Sequence, residues 1–337
     1  MSIVVRAADL QNDRSLLIAF LFQHLSARAD TRRFDWLYLR NPHGPARAWL
    51  ASDGSTSALI GASAVFPRQM RFCGKEISAC VLGDFCIHPD YRSLGPALQL
   101  QRATIAGMQA AGIEFGYDLP SASMLGVYQR LGIAPRESLV RMARPLRADQ
   151  QIGQRVKNET VARGLSAAGN LVLQLRDWRL KESEGWTIAL HDGLAGEEFL
   201  ELGNAAEKSG GLCVYRSAAY LNWRYREHPS RKFELLTARH HGKLKGFLVL
   251  EQVGADVTIV DLFGVDEREL WQSLLARAVT LSRERGMATL SAPVIASHPR
   301  AAQLEALGFF PRETHPIVTI GDAENGQLFL MDGDRES

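Results

Sequence analysis

Leu131-Gly132-Ile133-Ala134-Pro135-Arg136-Glu137 returns later in the chain as Leu307-Gly308-Phe309-Phe310-Pro311-Arg312-Glu313. A run that recurs with its glycine, proline and charges in place marks an internal duplication, which fixes the number of folding units better than length does. Working outward from it, Trp-x-Tyr-x-x-x-Pro stands as Trp36, Tyr38 and Pro42 and again as Trp223, Tyr225 and Pro229. Between these anchors Gly61 matches Gly246, Asp84-Phe85 matches Asp261-Leu262, and Gly112 matches Gly286, in the same order. The offset falls from 187 positions at Trp36/Trp223 to 176 at Leu131/Leu307, so the first copy is longer by 11 residues. That excess reads as a longer hairpin loop at Pro67 to Lys75, with Pro67, Gly74 and Lys75 as turn residues.

The duplication divides the chain into a first copy at 1–145, a connecting segment at 146–185, a second copy at 186–320 and a tail at 321–337. Val161, Leu165, Leu171 and Leu175 recur at partly helical spacing, so the connection is expected to be a helix and not a floppy tether. Leu328 to Met331 reads as one short strand of the tail. Within the first copy Ala58–Phe66 and Ser78–His88 read as strands, and Gly95–Ala111 as a helix ended by Gly112. A strand at Ile113–Tyr117, a helix at Ser121–Leu131 and a strand at Ser138–Ala143 follow. Hairpin strands succeeded by strands joined through helices mean an α/β (α+β) unit, a mixed sheet with helices on both faces.

Composition agrees and excludes other classes. The chain has 337 residues, 46% hydrophobic and 23% charged, an ordinary globular balance for about two domains. A net charge of +2 gives no large field for a nucleic acid or an anionic membrane, so neither is expected as a partner. Cys73, Cys80, Cys86 and Cys213 form no C-x-x-C pair, so neither a disulfide framework nor a metal site is expected. The run Leu16 to Phe22 imitates the apolar core of a signal peptide, but Asp9 and Asp13 stand where such a peptide is basic, and Gln23-His24 ends the run. It reads as an amphipathic first helix, and a cytoplasmic protein is expected. No stretch reaches the ~18 apolar residues of a membrane span.

Chemistry concentrates in Ile87-His88-Pro89-Asp90-Tyr91-Arg92-Ser93-Leu94-Gly95-Pro96-Ala97, which runs from a strand end through a turn into a helix. Gly95 and Ala97 suit a close approach of backbone to a ligand, and the N–H groups of a helix start favour phosphate. The plain alternative is a strand-turn-helix in which Gly95 serves the turn and Pro96 starts the helix. Tyr128, one strand and one helix later, is placed to point back over the sheet. Arg-x-x-Gly-x-Ala followed by Tyr-x-x-x-Gly-apolar resembles the GNAT acetyltransferase superfamily, over nearly the whole first copy and, through the repeat, most of the second.

The resemblance implies two tandem GNAT-like domains, each with a splayed central sheet, and acetyl-CoA held in the splay as co-substrate. By position, Arg92, Ser93, Leu94, Gly95 and Ala97 would hold the CoA pyrophosphate through backbone N–H. Phe85, Cys86, Ile87 and His88 would offer main-chain groups to the pantetheine arm. Tyr128 would be the acid that protonates the departing thiolate, the alternative being a packing tyrosine. Ser93, Leu94 and Pro96 depart from the family's common residues, and Pro96 removes one N–H donor.

The second copy has Val265 to Trp271 at the cradle position, without glycine and with acidic residues, and Leu304 at the tyrosine position. It is therefore expected to be degenerate. Asp84 is the candidate general base, but Asp261 repeats it in the copy where no co-substrate is expected, which favours a carboxylate satisfying backbone at a strand bulge. His88 reads as a turn residue. Glu114 and Asp118 flank the next strand and are candidates for drawing a cationic amine, while Trp36, Tyr38, Trp223 and Tyr225 read as core. The function implied is transfer of an acetyl group to a primary amine of a small molecule or peptide. Alternatives are a non-catalytic acyl-CoA-binding or scaffold protein and a Fem-like aminoacyl transferase.

Overall fold

The computed structural model describes residues 2–72, 74–149, 152, 158–177, 180–206, 211–321 and 327–336, so Cys73 and parts of the expected linker and tail lie outside the described residues. The first half runs β1 (Ile3–Ala7), α1 (Arg14–His24), α2 (Thr31–Phe34), β2 (Arg47–Asp53), β3 (Leu59–Phe72), β4 (Lys75–Ile87), α3 (Leu94–Ala110), β5 (Phe115–Asp118), α4 (Ala122–Arg130) and β6 (Pro135–Pro145). Helix α5 (Glu159–Asp177) leads to β7 (Trp186–His191), α6 (Glu197–Ala206), β8 (Gly211–Val214), α7 (Ala218–Leu221), β9 (Phe233–His240), β10 (Lys243–Val253) and β11 (Asp256–Gly264). The chain ends with α8 (Arg268–Glu284), β12 (Thr289–Ile295), α9 (Pro299–Ala306), β13 (Phe310–Ile320) and β14 (Gln327–Phe329). Both halves thus place a long hairpin before a helix, a strand, a second helix and a final strand.

The repeated aromatic motif sits where the halves meet. In both copies it forms a widened helical turn, Asp35–Leu39 and Asn222–Arg226. Trp36 Nε1 donates to the carbonyl of Trp223, Trp223 Nε1 donates to that of Trp36, each at 2.9 Å, and the two rings stack at 4.6 Å. Each buried indole thereby finds the acceptor it needs. Trp36, Tyr38, Trp223 and Tyr225 are all buried, as core residues should be. Gly61 and Gly246 match for an equally physical reason. A Cβ on Gly61 would come within 2.7 Å of Ile87 Cδ1, and one on Gly246 within 2.8 Å of Leu270 Cδ2, so both strands need a bare backbone there.

The sheets of the two halves are one. The strand order is β1-β2-β3-β4-β5-β13-β6-β12-β11-β10-β9-β7 within a 14-stranded mixed sheet. β13 of the second half pairs with β5, and β6 of the first half pairs with β12, so the halves exchange their last strands. β6 and β13 lie side by side between them. Helices cover both faces, with cores around Tyr38 and Phe66 on one side and Leu100 and Tyr128 on the other.

One local expectation is corrected. The residues from Pro67 to Lys75 do not form a longer loop. They extend β3 and β4, paired from Gly61↔Ile87 to Phe72↔Lys75, and the far end pairs with β8 at Met70↔Val214 and Arg71↔Cys213. The alternating burial of Met70 and Ile77 repays this extension with apolar contact. The connecting helix does form, but Asn170 ties its polar side to the body through Ala148 N and Asp149. Val161, Leu165, Leu171 and Leu175 consequently face outward.

Candidate active site

β4 pairs with β5 only from Ala79↔Phe115 to Val81↔Tyr117, and beyond Val81 the two strands part. The edge of β4 from Leu82 to Ile87 therefore opens on a cleft. Facing β3, the strand carries a bulge: Ala64 pairs with Gly83 and Ala62 with Cys86, so Asp84 and Phe85 both lie opposite Ser63. Asp84 has φ of 47°, the left-handed region, which aspartate tolerates better than most residues. The second half has a bulge at the matching place, between Val249↔Asp261 and Leu250↔Ile259.

The cleft encloses about 460 Å³. One wall is Phe85, Cys86 and Ile87 of β4; the opposite wall is Ser121, Ser123, Met124 and Val127 at the start of α4. Arg92, Ser93 and Ala97, with His24 and Leu25 from the end of α1, complete the lining. His24 meets His88 edge to face at 4.7 Å; burial, then His88 and Arg92, hold it below the usual histidine range. His88 is a turn residue, its Nδ1 accepting from Asp90 N at 3.3 Å and its own N–H donating to Ile60 O.

The phosphate cradle is narrower than the sequence implies. Arg92 N donates to Pro89 O at 3.2 Å and Ser93 N to Tyr91 O at 2.6 Å, so these two amides are used by the turn itself. α3 starts at Leu94 behind Ser93, whose side chain makes no cap. Leu94 N and Gly95 N, at the first two helical positions, lack intrahelical acceptors by geometry, and none other is found among the described residues. A Cβ on Gly95 would meet nothing within 4 Å, so packing does not require glycine there and the space before these amides is open. The Arg92 guanidinium, exposed beside them, donates only to Ile87 O at 3.4 Å.

Tyr128 stands one turn after Met124 and beside Val127, behind the cleft wall. Its side chain is fully buried, its hydroxyl donating to Asp118 Oδ2 at 2.7 Å and accepting from Gln101 Nε2 at 3.1 Å. Burial and then the Asp118 charge hold the phenol well above its ordinary range, and burial pushes Asp118 up to about 7. Asp84 is not a free base. Arg33 Nη1 and Nη2 each donate to its oxygens at 2.8 Å, and Tyr38 Oη donates to Oδ2 at 2.8 Å. Burial opposes the Arg33 charge and Asp84 more than offsets it. Asp261 repeats the arrangement, accepting from Tyr225 Oη at 2.8 Å and pairing with Arg216 at 3.0 Å. Each repeated aspartate thus anchors the tyrosine of its own Trp-x-Tyr motif.

A second cavity of about 1020 Å³ adjoins the cleft at Leu25 and at the bulge, where Asp84 lines one and Phe85 the other. The first half supplies Arg28 and Arg33 to it, the second half His228, Arg231, Lys232 and Glu251, and the tail Glu336. Arg231 pairs with Glu251 at 2.5 Å. Burial, then the surrounding arginines, lower His228 to about 3. Glu336 has no ion pair or hydrogen bond among the described residues. It lies over Gly83, where a Cβ would come within 2.7 Å of its Cγ. The tail is held there by Tyr117 Oη donating to Asp334 O at 2.7 Å and by Asp334 paired with Arg216 at 2.9 Å. Sequence reasoning missed His24, Arg33 and Glu336, whose neighbours lie far away in the chain. A third cavity, about 930 Å³ along Pro42–Trp49 and Glu76–Ala79, touches none of these groups. Among the described residues no three His, Cys, Asp or Glu side chains are grouped to hold a metal, and no helix is long and apolar enough to cross a membrane.

Residues 19–135 match the family model described as an acetyltransferase (GNAT) domain. No curated protein matches the chain. Among solved structures, a conserved protein of Enterococcus faecalis described as a probable N-acyltransferase is 11% identical, covering 95% of this chain and 72% of its own, with a TM-score of 0.67. A GCN5-related N-acetyltransferase from Anabaena variabilis is 13% identical over 94% and 72%, with a TM-score of 0.66. N-myristoyltransferase of Saccharomyces cerevisiae, with bound myristoyl-CoA, is 13% identical over 95% and 82%, with a TM-score of 0.55. These likenesses extend through both halves and show a shared fold.

Proposed function

We propose, from residues 19–135 matching the GNAT acetyltransferase family model, that the first half binds acetyl-CoA and passes its acetyl group to a primary amine of a small molecule or peptide. The observation that carries this reading is the junction of the two cavities at the β4 bulge, one shaped as a donor cleft and the other built from both halves. Leu94 N, Gly95 N and the Arg92 guanidinium would take the diphosphate, and the open edge of β4 at Phe85 to Ile87 would pair with the pantetheine amides. The thioester would then lie at the bulge, within reach of an amine in the larger cavity. The neutral amine nitrogen attacks the thioester carbonyl, the carbon–sulfur bond breaks and the sulfur takes a proton from Tyr128, while the nitrogen gives up its surplus proton to water in the open cavity and solvent restores the Tyr128–Asp118 pair. Holding both reactants at one point supplies most of the acceleration. The second half, whose cradle and tyrosine are replaced, would wall the acceptor cavity.

Calorimetry with acetyl-CoA tests the donor half. Gly95→Glu is expected to weaken binding about 10–100-fold, because a carboxylate would occupy the space before the two amides and repel phosphate. Its melting temperature should be unchanged or higher, since glycine is a poor helix residue. Equal affinity in the variant excludes the cradle. Glu336, a carboxylate in the field of Arg33 but in no ion pair or hydrogen bond among the described residues, is assigned to draw the ammonium form of the acceptor, which sheds its proton to water in the open cavity before attack. Glu336→Gln is then expected to raise KM for the amine about tenfold with kcat within about twofold. An unchanged KM would remove Glu336 from acceptor binding.

A further inference from the structure

Helix α9 is the second half's counterpart of α4, with Leu304 standing for Tyr128 and Arg300 for Met124. The space that corresponds to the donor cleft has shrunk but has not vanished. A cavity of about 140 Å³ remains between Gly264 at the end of β11, Phe329 of β14, His298 at the N-cap of α9, and Arg300 and Gln303 within that helix. Where the first cleft has the thioether of Met124, this one has a guanidinium.

That guanidinium is buried and lacks acceptors. Arg300 Nε and Nη1 are enclosed with no hydrogen-bond partner among the described residues. Its plane lies against Trp271, 3.6 Å from the ring centroid, and Trp271 Nε1 is likewise enclosed without an acceptor. His298 Nδ1 accepts from Arg300 N at 3.2 Å, and burial lowers this histidine to about 4, so its ring is neutral and Nε2 carries a hydrogen. Asp266 also lines the space, exposed and outside ion-pair distance of Arg300. Arg216, close enough to oppose the charge, is already engaged by Asp261 and Asp334. Burial outweighs Asp266 and pulls Arg300 down to about 10, the mark of a cation without a sufficient counter-charge. Unpaired buried donors of this kind are uncommon and call for a partner.

We propose that the residual cleft of the second half is a binding site for a small oxyanion, a carboxylate or a phosphate, with Arg300 as its cation. The volume fits an ion of that size and excludes a nucleotide. The site is independent of acetyl transfer in the first half, and its occupant would relieve the unpaired guanidinium beside the Arg216–Asp261–Asp334 cluster that holds the tail.

Thermal melting of the full chain tests this with sodium phosphate or sodium acetate against sodium chloride at matched ionic strength. The measurements are repeated in a Gly95→Glu background, so that phosphate in the first cleft is not counted. The wild-type midpoint is expected to rise by about 2–4 °C above chloride with at least one of the two anions, and which one responds identifies the class. Arg300→Met is expected to melt higher than wild type in chloride, having lost a buried unpaired charge, and to show no increment with either anion. Arg300→Gln, with similar reach and no charge, should lose the increment as well. No increment in wild type, or one that both variants keep, overturns the proposal.

Discussion

Tyr128→Phe is expected to lower kcat about 10²–10⁴-fold, the usual worth of a positioned proton donor, with acetyl-CoA affinity changed less than about twofold. The phenol proton is committed to Asp118 Oδ2 at 2.7 Å, so donation to sulfur requires Asp118 to release it. Asp118, raised to about 7 by burial, provides that release. Protonated, it would turn from acceptor to donor toward the phenol oxygen, the phenolic hydrogen would be free to turn past Val127 toward the cleft, and the Asp118 proton would replace the one given up. The rate should therefore be full below about pH 7 and fall above it, and Asp118→Asn should remove that limb.

The same group gives a stability signature. Its folded pKa lies above the unfolded value near 3.9, so its contribution is fully present below about pH 4 and is lost as pH rises through about 7. Wild type should lose stability across that window, and Asp118→Asn should lose less. A Tyr128→Phe enzyme with undiminished kcat would retire the phenol as the acid.

Asp84→Ala is expected to cost about 3–5 kcal/mol in urea unfolding, a large part of a domain's stability. Removing the carboxylate leaves Arg33, held by two 2.8 Å bonds, charged and largely buried with no partner, and leaves Tyr38 Oη without its acceptor. The positive φ of 47° adds to the loss, because alanine tolerates that region less well than aspartate. Asp84→Asn keeps the tyrosine bond and the backbone preference, so it should lose less than Asp84→Ala. A catalytic base would behave differently, with kcat collapsing in both variants at unchanged stability. That outcome would return Asp84 to the role its position beside the acyl site first suggested.

Local features were legible in the sequence because their causes are local. The Gly95 turn with its following helix reflects backbone limits that act within a few residues, whereas the Trp-x-Tyr motifs and the glycines at 61 and 246, whose contacts lie far off in the chain, were legible because the duplication repeats them. The repeated aspartates were legible as a pair, since a role needed in both halves leaves the same residue in both. The turn from Pro89 into the helix at Leu94 was legible, but which of its amides stay free was not. Whether Arg92 N and Ser93 N remain free depends on how the turn closes on Pro89 O and Tyr91 O, a choice no residue pattern states.

The amino-acid order alone determined the duplication and the mixed α/β character of each half, and it marked the strand-turn-helix segment at Arg92 that is proposed for a diphosphate. Tertiary structure alone decided that the halves exchange β6 and β13, that Arg33 neutralises Asp84 from 51 positions away, and that the tail carries Glu336 to the cavity at the bulge. The reason is physical. Turn chemistry and periodicity are settled by short-range sterics, whereas a partner for a buried charge or an open strand edge is settled by desolvation and hydrogen bonding among all groups that can reach it. Those terms carry no spacing along the chain from which the partner can be read.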